Sequence, residues 1–592
     1  MQFVRKLIAN LAKFIINYTP NTWVESIKKH PKLVAAYSNN LHKSGLMYQL
    51  QTIEEQKASY LAYMKHQNAQ MSAQIKSSGN KVCESMLLVC VEQCNSNELF
   101  VTLESIKAQR LPFSNVIFWC KNADEKHLNN FLPKHCDFEF IVTSDLVGDA
   151  RLNKEKTKAS FIVYSGDKLD SYLTLALTTH INLDAHLAYF DTDKLNAAQI
   201  REYPDFKPDW NPDLQLTAGY INSGIWIVKL ASFAKTCGPL SKFNVVKYLA
   251  SCYLENIYST IQHIPLVMLS RPTNIISLDK AKALFEPMYN DVASIIDTNN
   301  ALPTLSLRWH LECEPLVSII IPTRNAMELV RACIDSILKK TNYTNYEILL
   351  VDNNSDDSES IRYFHKLNEH PKITLLSYDK QFNYSAINNF AAKRAKGEVL
   401  ALVNNDIEVI NPDWLLNMVS HVMRDDIGCV GAKLLYSDNR IQHAGVVMGY
   451  GGGAGHGHKY FPGDHYGYMN RLIATQNYSA VTAACLLITQ KDFWAVEGLN
   501  EESLAIAFND VDLCLKVQQL GRRNLYCAEA ILYHHESVSR GHEDTPEKVL
   551  RFKSELDYLK ATWSEVIKAD PAYNPNLTLK RENFAIKSIR EA

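Results

Sequence analysis

The stretch from Pro315 to Asp357, PLVSIIIPTRNAMELVRACIDSILKKTNYTNYEILLVDNNSDD, decides the fold of the second half of the chain. The apolar run VSIIIPT is followed by a helical pattern through Leu329 to Lys339 and then by a second apolar run, YEILLVD. Strands that alternate with helices in this way predict a parallel, doubly wound α/β sheet. The alternation continues with ITLLSYD and EVLALVNND, so we expect one domain over residues 315–565.

The same alternation occurs earlier in the chain. From Ser85 onward the apolar runs SMLLVCVEQ, VIFWC, FEFIVT, ASFIVYSG and AHLAYFD are separated by helical segments. Each half also carries a Ser-Ile pair in its first helix, at Ser105-Ile106 and Ser336-Ile337, which indicates an internal repeat. We therefore predict two tandem α/β domains, 81–300 and 315–565, joined by extended chain.

Two flanking regions lack the alternation of strands and helices that these domains show. Residues 1–80 predict an N-terminal helical region, and residues 566–592 form a C-terminal tail. Within residues 1–18, apolar side chains recur at helical spacing with basic ones among them, which predicts an amphipathic helix. Such a helix could lie at the inner face of the cytoplasmic membrane, or it could pack on a neighbouring domain.

The composition excludes several classes of protein. A formal net charge of -2 over 592 residues gives no reason to expect nucleic acid as a partner. Thirteen cysteines without a CxxC pair are typical of reduced, buried thiols rather than of a disulfide framework or a zinc site. No run approaches the roughly 20 apolar residues of a membrane span, and no signal-peptide cleavage site is visible. We expect a cytoplasmic protein.

Polar side chains follow the predicted strands of the second half, at the edge where an open α/β sheet binds its ligands. The first strand ends in Pro322-Thr323-Arg324-Asn325. Asp352 ends the second strand and could accept hydrogen bonds from a nucleobase or a ribose. The alternative for Asp352 is a helix cap, a role that Asp356 or Asp357 fills better.

Acidic and imidazole groups further along the chain indicate metal and proton chemistry. Asn404-Asn405-Asp406 follows a buried strand, and Asp406 could anchor Mg²⁺ or Mn²⁺ on a diphosphate. Asp510 and Asp512 open a helix, where they either favour the helix N-terminus or supply a general base. His534-His535 could complete the metal site or be ordinary core residues.

Jointly these motifs resemble the family-2 glycosyltransferases, which are inverting enzymes with a GT-A fold. The resemblance covers nearly all of residues 315–560. It rests on PLVSIIIPTRN, YEILLVDNNSDD, FNYSAINNFAAKRAKGEVLALVNNDIEVI, GCVGAKLLY, IQHAGVVMG, FNDVDLCLKVQQLGRR and YHHESVSRG. The pattern is similar to that of the bacterial branch that builds O-antigen, capsule and other surface polysaccharides.

The resemblance implies a role for each matching residue. Asp510 would be the catalytic base, with Asp512 as second choice, and Asp406, His534 and His535 would bind the divalent cation. The acceptor side would include Thr482, Ala483 and Ala484, bordered by residues 442–445 and the glycine-rich segment 449–457. The nucleotide-sugar would contact Pro322, Thr323, Arg324, Asn325, Asp352, Asn383, Asn388, Asn404, Asn405 and Asp406. Asn404 departs from the family's Asp-x-Asp element, and Asn509 stands where a Glu is usual.

The first half resembles the same family in a degenerate form. Its metal-type position reads Ser165-Gly166-Asp167, so that Asp167 survives alone, and no acid pair opens a helix after Trp226. We expect a silent module that holds the acceptor glycan or the partner domain. A second live active site is the alternative.

The sequence thus predicts an inverting transferase that moves a sugar from a nucleoside-diphosphate donor to a hydroxyl of a glycan or lipid-linked glycan. Two alternatives remain: a bifunctional enzyme with both domains active, and a non-catalytic glycan-binding scaffold. A nucleotidyltransferase is disfavoured because Thr323-Arg324-Asn325 is not a basic, glycine-rich pyrophosphate loop.

Overall fold

The computed structural model describes residues 52–78, 83–155, 158–182, 184–196, 200–256, 260–272, 278–296, 304–535 and 546–588. The predicted amphipathic helix at residues 1–18 lies outside these ranges. The described part of the predicted N-terminal region, residues 52–78, forms a long helix, α1 (Ile53–Ser78).

The first half forms a nine-stranded sheet with helices on its faces. Its strands are β1 (Met86–Val91), β2 (Val116–Cys120), β3 (Phe140–Thr143), β4 (Ser160–Tyr164), β5 (Lys168–Leu169), β6 (Leu187–Leu195), β7 (Arg201–Asp205), β8 (Ile225–Ile227) and β9 (Ile261–Pro272). Its helices are α2 (Ser96–Lys107), α3 (Asn122–Phe131), α4 (Leu173–His180), α5 (Pro212–Ala218), α6 (Leu230–Cys237), α7 (Asn244–Leu254) and α8 (Leu278–Tyr289). A two-stranded ladder of β10 (Ala293–Ile296) and β11 (Ser306–Trp309) follows.

The second half forms a ten-stranded sheet. Its strands are β12 (Val317–Thr323), β13 (Tyr346–Asp352), β14 (Ile373–Ser377), β15 (Val399–Val403), β16 (Ile407–Val409), β17 (Ile427–Leu435), β18 (Ile441–His443), β21 (Gln476–Tyr478), β22 (Cys485–Thr489) and β23 (Arg523–His534), with β19 (Val446–Met448) and β20 (Ala454–His456) as a separate hairpin. The helices are α9 (Met327–Lys340), α10 (Ser358–Leu367), α11 (Tyr384–Ala392), α12 (Trp414–Val422), α13 (Gln490–Ala495), α14 (Asn509–Gln519), α15 (Pro546–Thr562) and α16 (Ser564–Lys568).

The two sheets have the same topology. The order of the first is β3-β2-β1-β4-β8-β6-β9-β5, and that of the second is β14-β13-β12-β15-β22-β17-β23-β16. Parallel and antiparallel pairs also correspond: β1 is parallel to β2 and β4, as β12 is to β13 and β15, and the next strand is antiparallel in both. The predicted α/β class is confirmed, with a helix-covered, mostly parallel core in each half.

Burial on both faces explains the continuous apolar runs of the central strands. All residues of β1, β4 and β15 are buried. One hydrophobic cluster packs on each face of the first sheet, and another pair packs on the faces of the second. The polar residues that follow these strands are thereby held at a rigid edge.

Buried polar contacts join the two halves. The carboxylate of Asp213 at the start of α5 forms ion pairs with Arg424, at 2.6 Å, and with Arg523, at 3.2 Å. Beside it, Asn211 Nδ2 donates a hydrogen bond to the carbonyl of Asn477 at 2.8 Å. Because an unpaired buried charge is unfavourable, this network fixes the relative placement of the two sheets.

The predicted C-terminal tail packs against both halves as far as it is described. Asn574 Nδ2 donates to Asp191 Oδ2, at 2.9 Å, and to the carbonyl of Lys207, at 2.8 Å, both in the first half. Asp570 accepts from Ser479 Oγ and from the backbone N–H of Met448 in the second half. Among the described helices, none is long and apolar enough to cross a membrane.

Candidate active site

The carboxyl ends of the neighbouring strands β12, β13 and β15 carry the predicted nucleotide-binding residues. Thr323, the last residue of β12, lies opposite Asp352, the last residue of β13. Asn405 Nδ2, just after β15, donates a 3.0 Å hydrogen bond to Thr323 Oγ1. These three strand ends therefore form one polar edge, as open α/β sheets present to their ligands.

The loops after β12 and β13 are tied together. The backbone N–H of Asn325, which has a left-handed φ of 53°, donates to Ser355 Oγ at 2.7 Å, and Ser355 Oγ donates to Asp352 Oδ1 at 2.5 Å. Asp357, not Asp352, caps helix α10 by accepting from the N–H of Ser360. Pro322 remains inside the β12–β13 ladder, whereas Arg324 is more than half exposed. Asp352 is thus positioned at the strand edge without a capping role.

Asp406 and His534 form the closest carboxylate–imidazole pair at this edge, with 3.2 Å between Oδ1 and Nε2. The ladder between β16 and β23 places them together, since Ile407 pairs with His534. Both side chains are buried, at 6% and 8% exposure, and Asn404 Nδ2 lies 3.3 Å from the same Nε2 atom. A carboxylate oxygen and an imidazole nitrogen are both groups that can bind a divalent cation such as Mn²⁺ or Mg²⁺.

The pair is not a complete protein cage. Among the described residues, no group of three or more His, Cys, Asp or Glu side chains is arranged to hold a metal ion. Mg²⁺ and similar ions in phosphate sites usually bind through one or two carboxylates and through oxygens of the ligand. The donor set therefore fits an ion that enters with a diphosphate better than an ion held permanently.

His535 is directed elsewhere. Its Nε2 lies 3.3 Å from Glu408 Oε2, and its Nδ1 lies 2.7 Å from Ser437 Oγ. Neighbouring residues of an extended chain point to opposite sides, so His534 and His535 cannot both face Asp406. The structure brings only His534 of this pair to the predicted metal position.

Asp510 lies at the start of α14 and is connected to the same edge through the segment Thr482–Ala484. Its Oδ2 accepts a 3.0 Å hydrogen bond from the backbone N–H of Ala483, and the next residue's carbonyl, Ala484 O, accepts from the N–H of Asn404 at 3.0 Å. Burial raises the pKa of Asp510 above its ordinary value, against the lowering effect of its hydrogen bonds from Ala483 and Thr482. A carboxylate with a raised pKa is a stronger base.

Asp512 is placed differently, although it lies only two residues from Asp510. It is 1% exposed, accepts a 2.8 Å hydrogen bond from Trp563 Nε1, and lies 3.4 Å from Lys516 Nζ. These contacts attach α14 to the segment after α15. Asp512 is therefore a structural residue in this fold and does not share the position of Asp510.

Asn383 and Asn388 also have structural contacts. Asn383 caps α11 by accepting from the N–H of Ala386, and its Nδ2 donates to the carbonyl of Glu501. Asn388 is buried within α11 and donates to the carbonyl of Tyr384 at 2.8 Å. Neither asparagine lies at a strand end: Asn383 directly precedes helix α11, and Asn388 lies within it.

Comparison with known proteins identifies the segment that contains this edge. The model of the family "Glycosyl transferase family 2" matches residues 318–491. This segment is a family 2 glycosyltransferase domain. The match includes the strand ends at Thr323, Asp352 and Asp406 and the segment Thr482–Ala484.

Two curated relatives match more of the chain than the family 2 model does. An uncharacterised protein of Sinorhizobium fredii is 44% identical over 427 residues, which is 69% of this chain and 47% of that protein. The O-antigen biosynthesis protein RfbC of Myxococcus xanthus is 35% identical over 417 residues, or 68% of this chain and 32% of that protein. This chain thus spans less than half of the length of either relative.

A solved structure with some similarity is a mannosyltransferase from Pyrobaculum calidifontis in complex with GDP-Man and Mn²⁺. The sequence identity is 16%, the TM-score is 0.34, and the match covers 50% of this chain and 76% of that chain.

Two further imidazoles, His443 and His456, lie in the segments 442–445 and 449–457 that the resemblance placed beside the acceptor side, although the sequence analysis gave neither ring a role of its own. His443 Nδ1 lies 2.8 Å from His456 Nδ1, and His443 Nε2 lies 3.4 Å from the N–H of Thr482. Burial lowers the pKa of both rings, that of His456 to about 3, so both are neutral at physiological pH. Neighbouring positive charge lowers both further, from His456 at His443 and from Lys459 at His456.

Proposed function

We propose that this protein is an inverting glycosyltransferase that moves a sugar from a nucleoside-diphosphate donor to a hydroxyl of a glycan or lipid-linked glycan in bacterial surface-polysaccharide synthesis. The family 2 domain and the O-antigen relative support the reaction class and the setting. The proposal places the active site in residues 315–565, with the carboxyl edge of the second sheet as its floor.

The observation that carries the proposal is the pairing of Asp406 with His534 at 3.2 Å, on the same edge as Asp352. Thr323, Arg324 and Asp352 would hold the nucleoside part of the donor at the ends of β12 and β13. Asp406 and His534 would hold a divalent cation, which when bound neutralises the charge of the departing diphosphate.

Asp510 is the proposed base. Its carboxylate is held at one end by the N–H of Ala483, so the acceptor hydroxyl would lie beside the segment Thr482–Ala484. Asp510 takes the hydroxyl proton while the oxygen attacks the anomeric carbon from the side opposite the leaving diphosphate. One displacement of this kind inverts the anomeric configuration, and no covalent sugar–enzyme intermediate is needed.

The test is donor turnover by the full chain. Release of nucleoside diphosphate is measured for UDP-, GDP- and dTDP-sugars with Mn²⁺, with Mg²⁺ and with EDTA, and the anomeric configuration of any product is read by NMR. The proposal expects release from one donor class, dependence on the added cation, and an inverted product. Retention of configuration, or cation-independent release, would contradict it.

A further inference from the structure

One cavity among the described residues is lined by none of the candidate active-site residues of the second half. It has a volume of about 740 Å³ and opens at the carboxyl edge of the first sheet. Strand ends of β1, β4 and β9 line one side of it, and the loop of residues 465–470 from the second half lines another. A cavity of this size can contain a ligand as large as several sugar rings, which is far more than a single small ion needs.

Topology relates this cavity to the candidate active site. Asp167 follows β4 as Asp406 follows β15, each directly before a short strand that pairs with the long strand β9 or β23. Lys168 pairs with Ser270 where Ile407 pairs with His534. The first half therefore has Ser270 where the second half has its imidazole.

The carboxylate of Asp167 is already engaged by three protein groups. Its Oδ1 lies 3.0 Å from Arg271 Nε, and its Oδ2 accepts from Ser223 Oγ at 2.6 Å and from the N–H of Tyr164 at 2.9 Å. Asp167 is 1% exposed. Because the Arg271 guanidinium already supplies a positive charge here, a cation at this position would have to compete with it.

The lining of the cavity also disfavours a nucleoside diphosphate. None of the described residues 116–143, which contain the ends of β2 and β3, lines it, although the corresponding end of β13 carries Asp352. Carboxylates outnumber Lys and Arg side chains in the lining, five to three, so the cavity offers no basic cluster for a diphosphate. The five are Glu92, Glu98, Asp167, Asp193 and Asp205.

The remaining groups fit the hydroxyls and apolar faces of sugar rings. Tyr203 and Tyr466 line the cavity with 40% and 41% of their surface exposed, one from each half of the chain. Ser165 Oγ and Asp193 Oδ1 are buried in this lining and have no hydrogen-bond partner among the described residues. Aromatic faces combined with hydroxyl and carboxylate groups bind rings that are apolar on one side and polar at the edge.

We infer that this cavity is a second, metal-independent carbohydrate site, which binds an uncharged segment of glycan between the two halves of the chain. The inference rests on the proposed function only where it takes that glycan to be the acceptor chain. The site would hold the chain away from Asp510 while its terminal hydroxyl reaches the family 2 domain.

The experiment uses the full chain and an array of uncharged oligosaccharides from bacterial O-polysaccharides and capsules, with UDP, GDP and dTDP as competitors. The affinity for the strongest-binding oligosaccharide is then measured for Tyr203→Ala, Tyr466→Ala and Asp406→Ala. Phe100→Ala is the matched control, since Phe100 is 37% exposed in the first half but does not line the cavity.

We expect binding that survives EDTA, Asp406→Ala and Phe100→Ala but weakens by about fivefold to tenfold in each tyrosine variant. Failure of every uncharged oligosaccharide to bind would overturn the inference. So would loss of binding in EDTA, displacement by a nucleoside diphosphate, or unchanged affinity in both tyrosine variants. If binding persists while no donor is turned over, the proposed reaction fails and the carbohydrate site stands.

Discussion

The carboxylate of Asp510 accepts a 3.0 Å hydrogen bond from the backbone N–H of Ala483, which connects the start of α14 to the segment directly before strand β22. The carbonyl of the neighbouring Ala484 accepts a hydrogen bond from the backbone N–H of Asn404. The segment Thr482–Ala484 therefore lies between the proposed base and the proposed metal ligands. The structure therefore distinguishes Asp510 from Asp512, two acids that the sequence alone does not separate clearly.

Asp510→Asn is expected to reduce the turnover number by about 100- to 10,000-fold, because it removes the proton acceptor. Asp512→Asn is the matched control: its amide oxygen still accepts from Trp563, so activity should remain close to that of the native protein. The measurement is the initial rate of sugar transfer. Equal losses in the two variants would contradict the assignment of the base.

The raised pKa of Asp510 predicts a pH dependence. Only the deprotonated carboxylate accepts a proton, so the rate should fall on the acid side at a pH above the ordinary Asp pKa of about 3.9. Burial in the native state favours the protonated form of Asp510. The charged form therefore lowers the free energy of unfolding, and this effect is complete only at pH values above the raised pKa. At neutral pH, Asp510→Asn should therefore not lower the unfolding temperature. A lower unfolding temperature in this variant would show that its lost activity reflects damage to the fold.

Metal affinity separates the two adjacent histidines. His534→Ala and Asp406→Ala should each weaken Mn²⁺ binding by about 10- to 100-fold in the presence of nucleoside diphosphate. Losses of this size are typical when a side chain that supports a metal site is removed. His535→Ala should leave it unchanged, because His535 contacts Glu408 and Ser437 instead. Paramagnetic resonance of free Mn²⁺ gives the affinity directly. Weakening by His535→Ala alone would reverse the assignment.

Asp167→Asn tests whether the first half binds a cation. Arg271 and Ser223 already engage this carboxylate, so the variant should keep the Mn²⁺ stoichiometry of the native protein and the same donor turnover. Loss of one bound Mn²⁺ per chain would instead support a second live site in the first half.

The contact between the halves predicts a large stability effect at Asp213. Burial alone would raise the pKa of Asp213, but the guanidinium groups of Arg424 and Arg523 hold it well below its usual range. Asp213→Asn should lower the free energy of unfolding by roughly 3 kcal/mol, since it removes the buried carboxylate shared by Arg424 and Arg523 and leaves them only the partly exposed Asp426. Asp426→Asn, at a carboxylate that is 36% exposed, should have an effect of about 1 kcal/mol or less.

Urea unfolding at several pH values measures both variants. The stability that Asp213 contributes is present above the unfolded pKa of about 3.9 and is lost as pH falls toward the depressed native value. The difference between the native protein and Asp213→Asn should therefore shrink below about pH 4. A difference that does not depend on pH would exclude the ion pair as its source.

Local patterns in the sequence predict much of this arrangement. The apolar runs that end in Thr323, Asp352 and Asp406 define strands, and the carboxyl ends of parallel neighbours meet at one edge. The helix over Ser358–Leu367 and its Asp357 cap follow from the same local rules.

Other features depend on contacts between distant segments and leave no local signal. His456 reaches His443 only through the folding of a glycine-rich hairpin. Asn383 caps a helix, but an asparagine at this point of the sequence could equally have bound a ligand. The side to which His535 points depends on the register of β16 and β23. The cavity between the halves requires the docking of both sheets, which the sequence of either half does not specify.

The most direct test of the account is the release of nucleoside diphosphate by the native protein, Asp406→Ala and Asp510→Asn, measured with the preferred donor and Mn²⁺. The account predicts release by the native protein and near-complete loss in both variants, with both still folded by circular dichroism. Undiminished Mn²⁺-dependent release in both variants would contradict it and would move the active site out of the second sheet.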